Sequence, residues 1–402
     1  MGSSLADRVR AGQFRLPRPA YGWAESTRLR SRRGRTAAPD IAAWLAAVPV
    51  ARHRLLIAPA NSAGQGAAWA RAANTHLPDT AAVAWMFTTT GSYGFPADAV
   101  APASVSALPD SWQQRLFDGV TATFTHVVIE SGRPLFGGLF GHDAAREARA
   151  LSDAGVTVAM AWHGTDIRLP SRERLTNVHS PFRDPGHGAT TAMLAARASR
   201  NAKLAAASGV RQFYSTPDLG AHVPDGTWLP VVVDSAAWSI APPTPHDGPL
   251  AVLFQPSQGW IKGVSNVEPV LERLAASGRI ARVPSERVTP AEMPALVARA
   301  DVVLDQFRFN LYGVAAAEAM MASRPVVSLA GEPLREATLR LTGEDLPVMS
   351  AGAGEVADAL ARLAADPDAR AARGASGHAF AMRWHDGAES ARVLRETMRL
   401  SQ

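Results

Sequence analysis

The stretch Asp301–Ser328, DVVLDQFRFNLYGVAAAEAMMASRPVVS, decides the fold of this chain. An apolar strand is predicted at Asp301–Leu304, followed by a polar and aromatic loop. Gly313 opens a predicted helix of small residues, and Arg324-Pro325 ends that helix before a further apolar strand. A strand, a loop, a helix and a strand in this order predict a βαβ unit, which belongs to a parallel sheet.

The start of this predicted helix has features that suit a bound phosphate. A glycine, here Gly313, lets a ligand approach the backbone closely. The free N–H groups and the positive dipole end of a helix favour an anion. Glu318 follows about one and a half turns later and can reach sugar hydroxyls of the same ligand. The pattern suits a nucleotide held by its diphosphate and ribose, but on the pattern alone an ordinary βαβ unit with a closely packed helix is the commoner explanation.

A resemblance favours the nucleotide. The segment resembles the donor-binding region of retaining glycosyltransferases of family 4, which have the GT-B fold. That family shows two glutamates separated by seven residues, a glycine-rich turn between them, and a Glu-Ala-Met-Ala-x-Gly-x-Pro-Val tail. Gly313, Glu318-Ala319-Met320 and Pro325-Val326 match this pattern.

The resemblance implies roles for individual residues. Glu318 would contact the ribose, and Tyr312, Gly313 and Val314 would lie against the donor. Asn310 stands eight residues before Glu318, in the place of the family's first glutamate, which contacts the donor sugar. The resemblance therefore implies that this chain faces the sugar with an amide, which has no negative charge.

A second motif, QPSQGWIKG at Gln255–Gly263, follows a predicted strand and precedes a predicted helix. It resembles a branch of family 4 that has a His-Ala-Pro-Ser stretch leading to Lys-Gly-Thr. Pro256, Ser257, Lys262 and Gly263 match, which implies that Lys262 balances the charge of the leaving diphosphate and that Ser257 contacts the donor. Many family members carry an arginine where Ser257 stands. A solvated loop lysine is the alternative interpretation of Lys262.

The motif His163-Gly164-Thr165-Asp166 ends a predicted strand in the first half of the chain and matches a recurring His-Gly-Thr/Ser-Asp element of family 4. The resemblance implies that His163 hydrogen-bonds a sugar hydroxyl or supports developing charge, and that Asp166 and Arg168 lie at the cleft. The alternative is a strand-end histidine that pairs locally with Asp166. No second histidine or paired carboxylate stands at metal-ligand spacing nearby, so a metal role is disfavoured.

Two further sites are predicted to line the cleft. The turn NSAGQG at Asn61–Gly66 enters a helix but lacks both the dinucleotide glycine pattern and the P-loop lysine, and Gly64 and Gly66 would face the ligand. The strand end Glu130-Ser131-Gly132-Arg133 places Glu130 and Arg133 on the acceptor side. A salt bridge within that loop is an equally good interpretation.

Alternating strands and helices predict two doubly wound Rossmann-like domains, an α/β architecture with a ligand cleft at the carboxyl ends of the strands. Four regions are predicted: a basic arm at 1–40, an acceptor-side domain at 41–235, a linker at 236–249 and a nucleotide-sugar domain at 250–402. A strand is predicted at Leu229–Val233, and the last helix is a candidate to cross back to the first domain.

The charge of the chain is concentrated at its N-terminus. Residues 1–36 hold nine arginines against Asp7 and Glu25, a net charge of +7, whereas the whole chain is +5 and the remainder therefore −2. Such an arm can bind an anionic membrane surface; a solvated leader is the alternative. Nucleic-acid binding is disfavoured, because the arm has few aromatic residues and no recognisable motif follows.

Composition excludes several classes of protein. The chain has no cysteine, so disulfides, thiol nucleophiles and cysteine-zinc sites are excluded. No apolar run approaches the roughly 20 residues that span a bilayer, and no apolar stretch follows the N-terminal arginines as in a secretory signal. The predicted location is the cytoplasm, with peripheral attachment to a membrane through the arm as an extension.

Together these features predict a glycosyltransferase that moves a sugar from a nucleotide-sugar donor to an acceptor. The resemblance implies a hexosyltransferase-type reaction with retention of anomeric configuration and neither a metal nor another cofactor. Two alternatives stay open: a non-catalytic nucleotide-binding relative that supports a partner enzyme, and a nucleotide-sugar epimerase. A phosphorylase that uses pyridoxal phosphate would need a further lysine, and apart from Lys262 the chain has only Lys203.

Overall fold

The computed structural model describes residues 39–87, 94–101, 108–244, 246–256, 259–284 and 288–400. The basic arm at 1–36 and the predicted donor contact Ser257 lie outside these ranges.

The first domain is built on a parallel sheet, for which the described residues supply seven strands. These are β1 His53–Ala58, β2 Thr80–Phe87, β3 Ala99–Ala101, β4 His126–Glu130, β5 Thr157–Trp162, β6 Arg211–Tyr214 and β7 Thr227–Trp228. Their order is β3-β2-β1-β4-β5-β6-β7. The helices are α1 Ile41–Ala46, α2 Gln65–His76, α3 Asp110–Thr123, α4 Ala144–Asp153, α5 Pro170–Thr176 and α6 Gly188–Ser208, and short 3₁₀ turns occupy several connections.

The central strands explain why this sheet is covered on both faces. β2 and β4 are buried along their whole length, and β1 is buried at all but one position. Their side chains belong to two apolar clusters, one containing Leu56 and Trp85 and the other containing Leu55 and Trp69. A parallel strand with apolar residues on both faces must lie between two layers of helices, which is the doubly wound arrangement that the sequence predicts.

The second domain repeats this plan with five described strands in the order β12-β11-β10-β8-β9. They are β8 Leu250–Phe254, β9 Ile280–Arg282, β10 Val302–Leu304, β11 Val326–Ser328 and β12 Met349–Ser350. The helices are α7 Gly259–Lys262, α8 Val264–Ala276, α9 Met293–Ala298, α10 Val314–Met321, α11 Glu332–Thr342, α12 Val356–Ala365, α13 Pro367–Trp384 and α14 Ala388–Met398. All strand pairs in this sheet are parallel.

The final helix returns to the first domain. The apolar residues Leu394 and Met398 of α14 lie in one cluster with Trp69 of α2. The carbonyl of Pro230 accepts hydrogen bonds from Trp69 Nε1 at 2.8 Å and from Ser390 Oγ at 2.9 Å. Because α14 follows the second sheet in the chain but packs on the first, it joins the two domains at their base.

The strand predicted at Leu229–Val233 is wrong. β7 comprises only Thr227–Trp228, and the chain beyond it runs without strand pairing. Side chains satisfy its backbone instead: Gln65 donates to the carbonyl of Val232 at 3.2 Å and accepts from the Val232 N–H at 2.7 Å. The apolar pattern of this segment reflects burial under helices rather than a place in the sheet.

The strand orders locate the expected ligand site. In each sheet the order reverses beside the first strand, between β1 and β4 in the first domain and between β8 and β10 in the second. Ligands bind beyond the carboxyl ends of strands at such switch points. Glu130 ends β4, and Asp305 directly follows β10. No helix in the described ranges is both long and apolar enough to cross a membrane.

Candidate functional site

A cavity of about 850 Å³ lies between the two domains. The first domain contributes His163 and Thr165 to its lining, and the second contributes Lys262, Gly313 and Glu318. This volume is within the range of sites that enclose a small organic ligand. Six residues that the sequence predicts at a ligand site are thus brought to one cavity although up to 155 positions separate them in the chain: His163, Arg168, Lys262, Gly313, Val314 and Glu318.

The N-terminus of α10 opens into this cavity. Its backbone hydrogen bonds begin with the N–H of Ala317, which donates to the carbonyl of Gly313 at 3.1 Å. The N–H groups of the first turn therefore have no α-helical partner, as at any helix start. Gly313, Val314 and Ala315 all line the cavity. Free N–H groups at the positive end of a helix dipole form a site where a phosphate can bind.

Lys262 lies in the same part of the cavity, at the end of α7. Its Nζ lies 2.6 Å from Oδ1 of Asp305, a salt bridge in which the lysine is 18% and the aspartate 1% exposed. The second oxygen of Asp305, Oδ2, is buried and has no hydrogen bond to a described residue. The backbone fixes this arrangement, because the carbonyl of Lys262 accepts from the N–H of Phe307 at 3.0 Å.

Glu318 is a further ionisable group on this side of the cavity. It is part-buried, lines the cavity and accepts no hydrogen bond from a described residue. Burial raises the pKa of Glu318 to about 8; Lys262 opposes this rise and Asp305 adds to it. Burial and the neighbouring carboxylate of Asp305 therefore favour the neutral form of Glu318.

On the opposite side, His163 follows β5 and is held from two directions. Its Nε2 lies 3.0 Å from Oε1 of Glu130, and its ring stacks on Trp69 with centroids 5.2 Å apart and planes inclined by 19°. Its backbone N–H donates to the Asp166 carboxylate at 3.1 Å. Asp166 also accepts from the N–H of Gly164 at 2.7 Å, so its role is to shape the turn that presents His163.

Glu130 is fully buried behind His163. Its Oε2 accepts the backbone N–H groups of Ala60 at 3.0 Å and Asn61 at 2.7 Å. Burial alone would raise the pKa of Glu130, but the hydrogen bond and charge of His163 and the two backbone donors hold it below its usual range. A Cβ on Gly66 would lie 3.1 Å from Oε2, so a glycine there makes room for the carboxylate.

Several residues that the sequence predicts at the cleft lie outside the cavity lining. Gly64 directly precedes α2 with φ +76°, and the cavity wall beside it consists of Ser62, Ala63 and Gln65 instead of Gly64 and Gly66. The strand-end Arg133 is exposed away from the cavity.

Tyr312 and Asn310 also differ from expectation. Tyr312 is 1% exposed and packs on Phe380 and His385, because its ring fills the core beneath α10 rather than the cavity. The side chain of Asn310 is turned towards α11, where its Oδ1 accepts from the N–H of Gly331 at 2.7 Å. Asn310 therefore binds the residue that precedes α11 and does not line the cavity.

Arg168 lines the cavity but is only 2% exposed. Its Nη1 lies 2.5 Å from Asp218 and 3.4 Å from Glu173, and its guanidinium stands 4.7 Å above the ring of Phe309. Phe309 comes from the second domain, so Arg168 holds a contact between the domains. A salt bridge of 3.0 Å between Arg308 and Asp184 closes the same edge of the cleft.

The sequence did not single out Asp305, Trp69 or Phe309. Asp305 had a usable signal, since it is a carboxylate directly after a predicted strand. Trp69 lies in the middle of an alanine-rich helix and Phe309 in a loop, and neither position has a pattern that distinguishes it from a core aromatic residue. Among the described residues, no cluster of three or more histidine, aspartate or glutamate side chains is arranged to hold a metal ion.

No protein-family model and no curated protein sequence matches this chain. Many solved structures resemble it, among them three that align with most of its length. A glycosyltransferase from Rickettsia africae has a TM-score of 0.53 at 10% identity, over 87% of this chain and 98% of its own. Sucrose-phosphate synthase from Thermosynechococcus elongatus has a TM-score of 0.51 at 12% identity, over 87% of this chain and 98% of its own. HepE from Anabaena, in complex with UDP, has a TM-score of 0.51 at 13% identity, and the alignment covers 86% of this chain and 99% of HepE.

The chain has the GT-B fold. This confirms the fold class that the sequence predicts, with two Rossmann-like domains and a cavity between them. Identities of 10 to 13% establish the fold alone, so the function is argued from the residues of the cavity.

Proposed function

We propose that this protein is a glycosyltransferase that binds a nucleotide-sugar in the cavity between its domains and transfers the sugar to an acceptor. The observation that carries the proposal is the arrangement on the second-domain side of the cavity. There the free N-terminus of α10, the ammonium of Lys262 and the carboxyl group of Glu318 all face one space. A diphosphate needs the first two groups, and a ribose with two hydroxyls needs an acceptor such as the third.

The same groups account for the chemistry of the leaving group. When the bond between the sugar and the diphosphate breaks, negative charge grows on the diphosphate. The helix N-terminus and Lys262 are fixed before the reaction, by the fold and by the Asp305 salt bridge, so they can stabilise that charge without reorganising. His163 lines the opposite wall, which supports a role in hydrogen-bonding the sugar.

Retention of anomeric configuration and independence of metal ions are part of the proposal, and both rest on the resemblance to family 4. Their tests are direct. The anomeric configuration of the product is read by NMR of the transferred sugar. A turnover rate that is unchanged by EDTA supports the metal-free reaction, and a rate that falls with EDTA and returns with Mg²⁺ contradicts it.

The first experiment is calorimetric titration of the full chain with UDP, GDP, ADP and dTDP and with their glucose conjugates. UDP leads the series because the HepE structure contains it. We expect one nucleotide to bind selectively and the Glu318→Ala variant to lose most of that affinity. The matched control is Glu336→Ala, which removes an exposed glutamate from α11 of the same domain and should bind like the wild type.

Absence of binding by every nucleotide, with the variants folded, would contradict the proposal. Binding without transfer or hydrolysis would favour the second candidate function, a non-catalytic nucleotide-binding relative. One observation supports that candidate: Asn310 stands in place of a glutamate and binds the residue that precedes α11. If Asn310→Glu gains turnover over the wild type, the site is a weakened transferase; if it gains none, the non-catalytic function is preferred.

A further inference from the structure

We propose that Glu130 is a positioning residue that fixes the tautomer of His163, so that Nε2 carries the proton and Nδ1 faces the cavity as a hydrogen-bond acceptor for a substrate hydroxyl. The carboxylate itself is fully buried and does not line the cavity, so it acts only through the histidine.

The geometry around His163 determines which of its ring nitrogens carries the proton. Its Nε2 is 3.0 Å from Glu130 Oε1, and a carboxylate can only accept a hydrogen bond, so Nε2 must donate. In a neutral imidazole the other nitrogen is then unprotonated. Nδ1 has no hydrogen bond to a described residue and is not among the buried unpartnered atoms, while the side chain lines the cavity. The stack on Trp69 prevents the ring from turning over freely.

The second carboxylate oxygen of Glu130, Oε2, determines which way an amide would be oriented at this position. Oε2 accepts the backbone N–H groups of Ala60 and Asn61, so this corner of the pocket requires an acceptor. In a Glu130→Gln variant the amide oxygen must therefore occupy this corner, and the NH₂ group must take the place of Oε1. That NH₂ group donates to Nε2 of His163, which then has to accept. The proton moves to Nδ1, and the nitrogen that faces the cavity changes from an acceptor to a donor.

This reversal can be measured without knowing the substrate. The full chain is labelled with ¹⁵N-histidine, and the two ring nitrogens of His163 are observed by long-range ¹⁵N–¹H correlation at pH 8, where an ordinary histidine is neutral. A His163→Asn sample assigns its signals. We expect the wild type to show a protonated Nε2 and an unprotonated Nδ1, and Glu130→Gln to show the reverse.

Glu147 supplies a matched control. It is also fully buried in the first domain and also accepts two backbone N–H groups, those of Leu135 and Phe136, but no histidine among the described residues is its partner. Glu147→Gln should change stability and leave the His163 spectrum as in the wild type. A wild-type spectrum with Nδ1 protonated, alone or together with Nε2, overturns the proposal even if Glu130→Gln does not fold.

The role towards a substrate rests on the proposed function, and a second measurement tests it separately. The probes are UDP and UDP-glucose, whose affinity ratio isolates the contribution of the sugar. Losing one hydrogen-bond acceptor should lower that ratio roughly tenfold in Glu130→Gln. An unchanged ratio overturns the substrate-facing role of Nδ1. If neither probe binds, the proposed function fails for this donor class, while the tautomer result still decides whether Glu130 positions His163.

Discussion

Two glutamates on opposite sides of the cavity are in opposite states. Glu130, behind the first-domain wall, accepts three hydrogen bonds and has a pKa below its usual range. Glu318, on the second-domain wall, accepts none from a described residue, and burial raises its pKa to about 8. Glu130 is fully buried, whereas Glu318 is part-buried and lines the cavity, and the two also differ in their hydrogen-bond donors. The acceptor on the first wall is thus satisfied within the protein, whereas Glu318 on the second wall can accept hydrogen bonds from a ligand.

This contrast assigns different tasks to the two walls. A side chain whose hydrogen bonds are already satisfied stabilises the fold and holds a neighbour in place. A buried carboxyl group without donors costs free energy until a ligand supplies them. The hydroxyls of a ribose are such donors. The two walls should therefore respond differently to mutation, the first mainly in stability and the second mainly in binding.

The largest expected effect is on the first wall. Glu130→Ala leaves the N–H groups of Ala60 and Asn61 buried without acceptors and should lower the free energy of unfolding by about 3–5 kcal/mol. Because the folded-state pKa is depressed, the contribution of Glu130 is present at neutral pH and is lost as the pH falls below its ordinary pKa of 4.5. Urea unfolding at pH 7 and pH 4 measures the loss of stability and its dependence on pH. If the free energy of unfolding falls by less than about 1 kcal/mol at pH 7, the first wall does not act mainly on stability.

The next effect concerns proton linkage at Glu318. If ribose hydroxyls donate to this carboxyl group, binding favours its ionised form and expels the proton that it holds in the empty site. Between pH 6 and 8 the affinity for UDP-glucose should rise roughly tenfold per pH unit, levelling off above about 8. Titration calorimetry in buffers of different ionisation enthalpy counts the released proton. In Glu318→Gln the affinity should be lower and independent of pH; a pH dependence that survives in this variant places the titrating group elsewhere.

A smaller effect is expected at Lys262, whose charge is partly neutralised by Asp305 before any ligand arrives. Lys262→Met should weaken UDP binding by about 2 kcal/mol, roughly thirtyfold, because a charge-assisted contact to the diphosphate is lost. Uridine, which has no phosphate, should bind both proteins equally. Equal weakening of uridine and UDP would mean that Lys262 acts on the fold of the site and not on the diphosphate.

The two walls also differ in how far the sequence predicts them. On the second wall, the functional groups lie close to a local pattern, since Gly313 and Glu318 share one short helix and Lys262 belongs to a loop before another. Even here the sequence does not pair Lys262 with Asp305, because 43 positions separate them and only the order of strands brings them together.

On the first wall the decisive contact is entirely a product of topology. β4 ends at Glu130, as the sequence predicts, and His163 follows the next strand. Their side chains meet because β4 and β5 are neighbours with Glu130 opposite Ala161, a register that a single sequence does not reveal. The strand wrongly predicted at Leu229–Val233 has the same cause, since burial by helices and burial in a sheet leave the same apolar pattern.

The smallest effect is expected at Gly313, where one added methyl group should weaken ligand binding and leave stability nearly unchanged. Gly313 has φ −121°, which any residue adopts, and an added Cβ would meet only Leu311 Cδ1 at 3.7 Å. Gly313→Ala should therefore change the free energy of unfolding by less than about 0.5 kcal/mol. A phosphate at the start of α10 would meet that methyl group, so UDP affinity should fall several-fold. Unchanged affinity would place the diphosphate away from the α10 N-terminus, and a large loss of stability would mean that the glycine serves the fold.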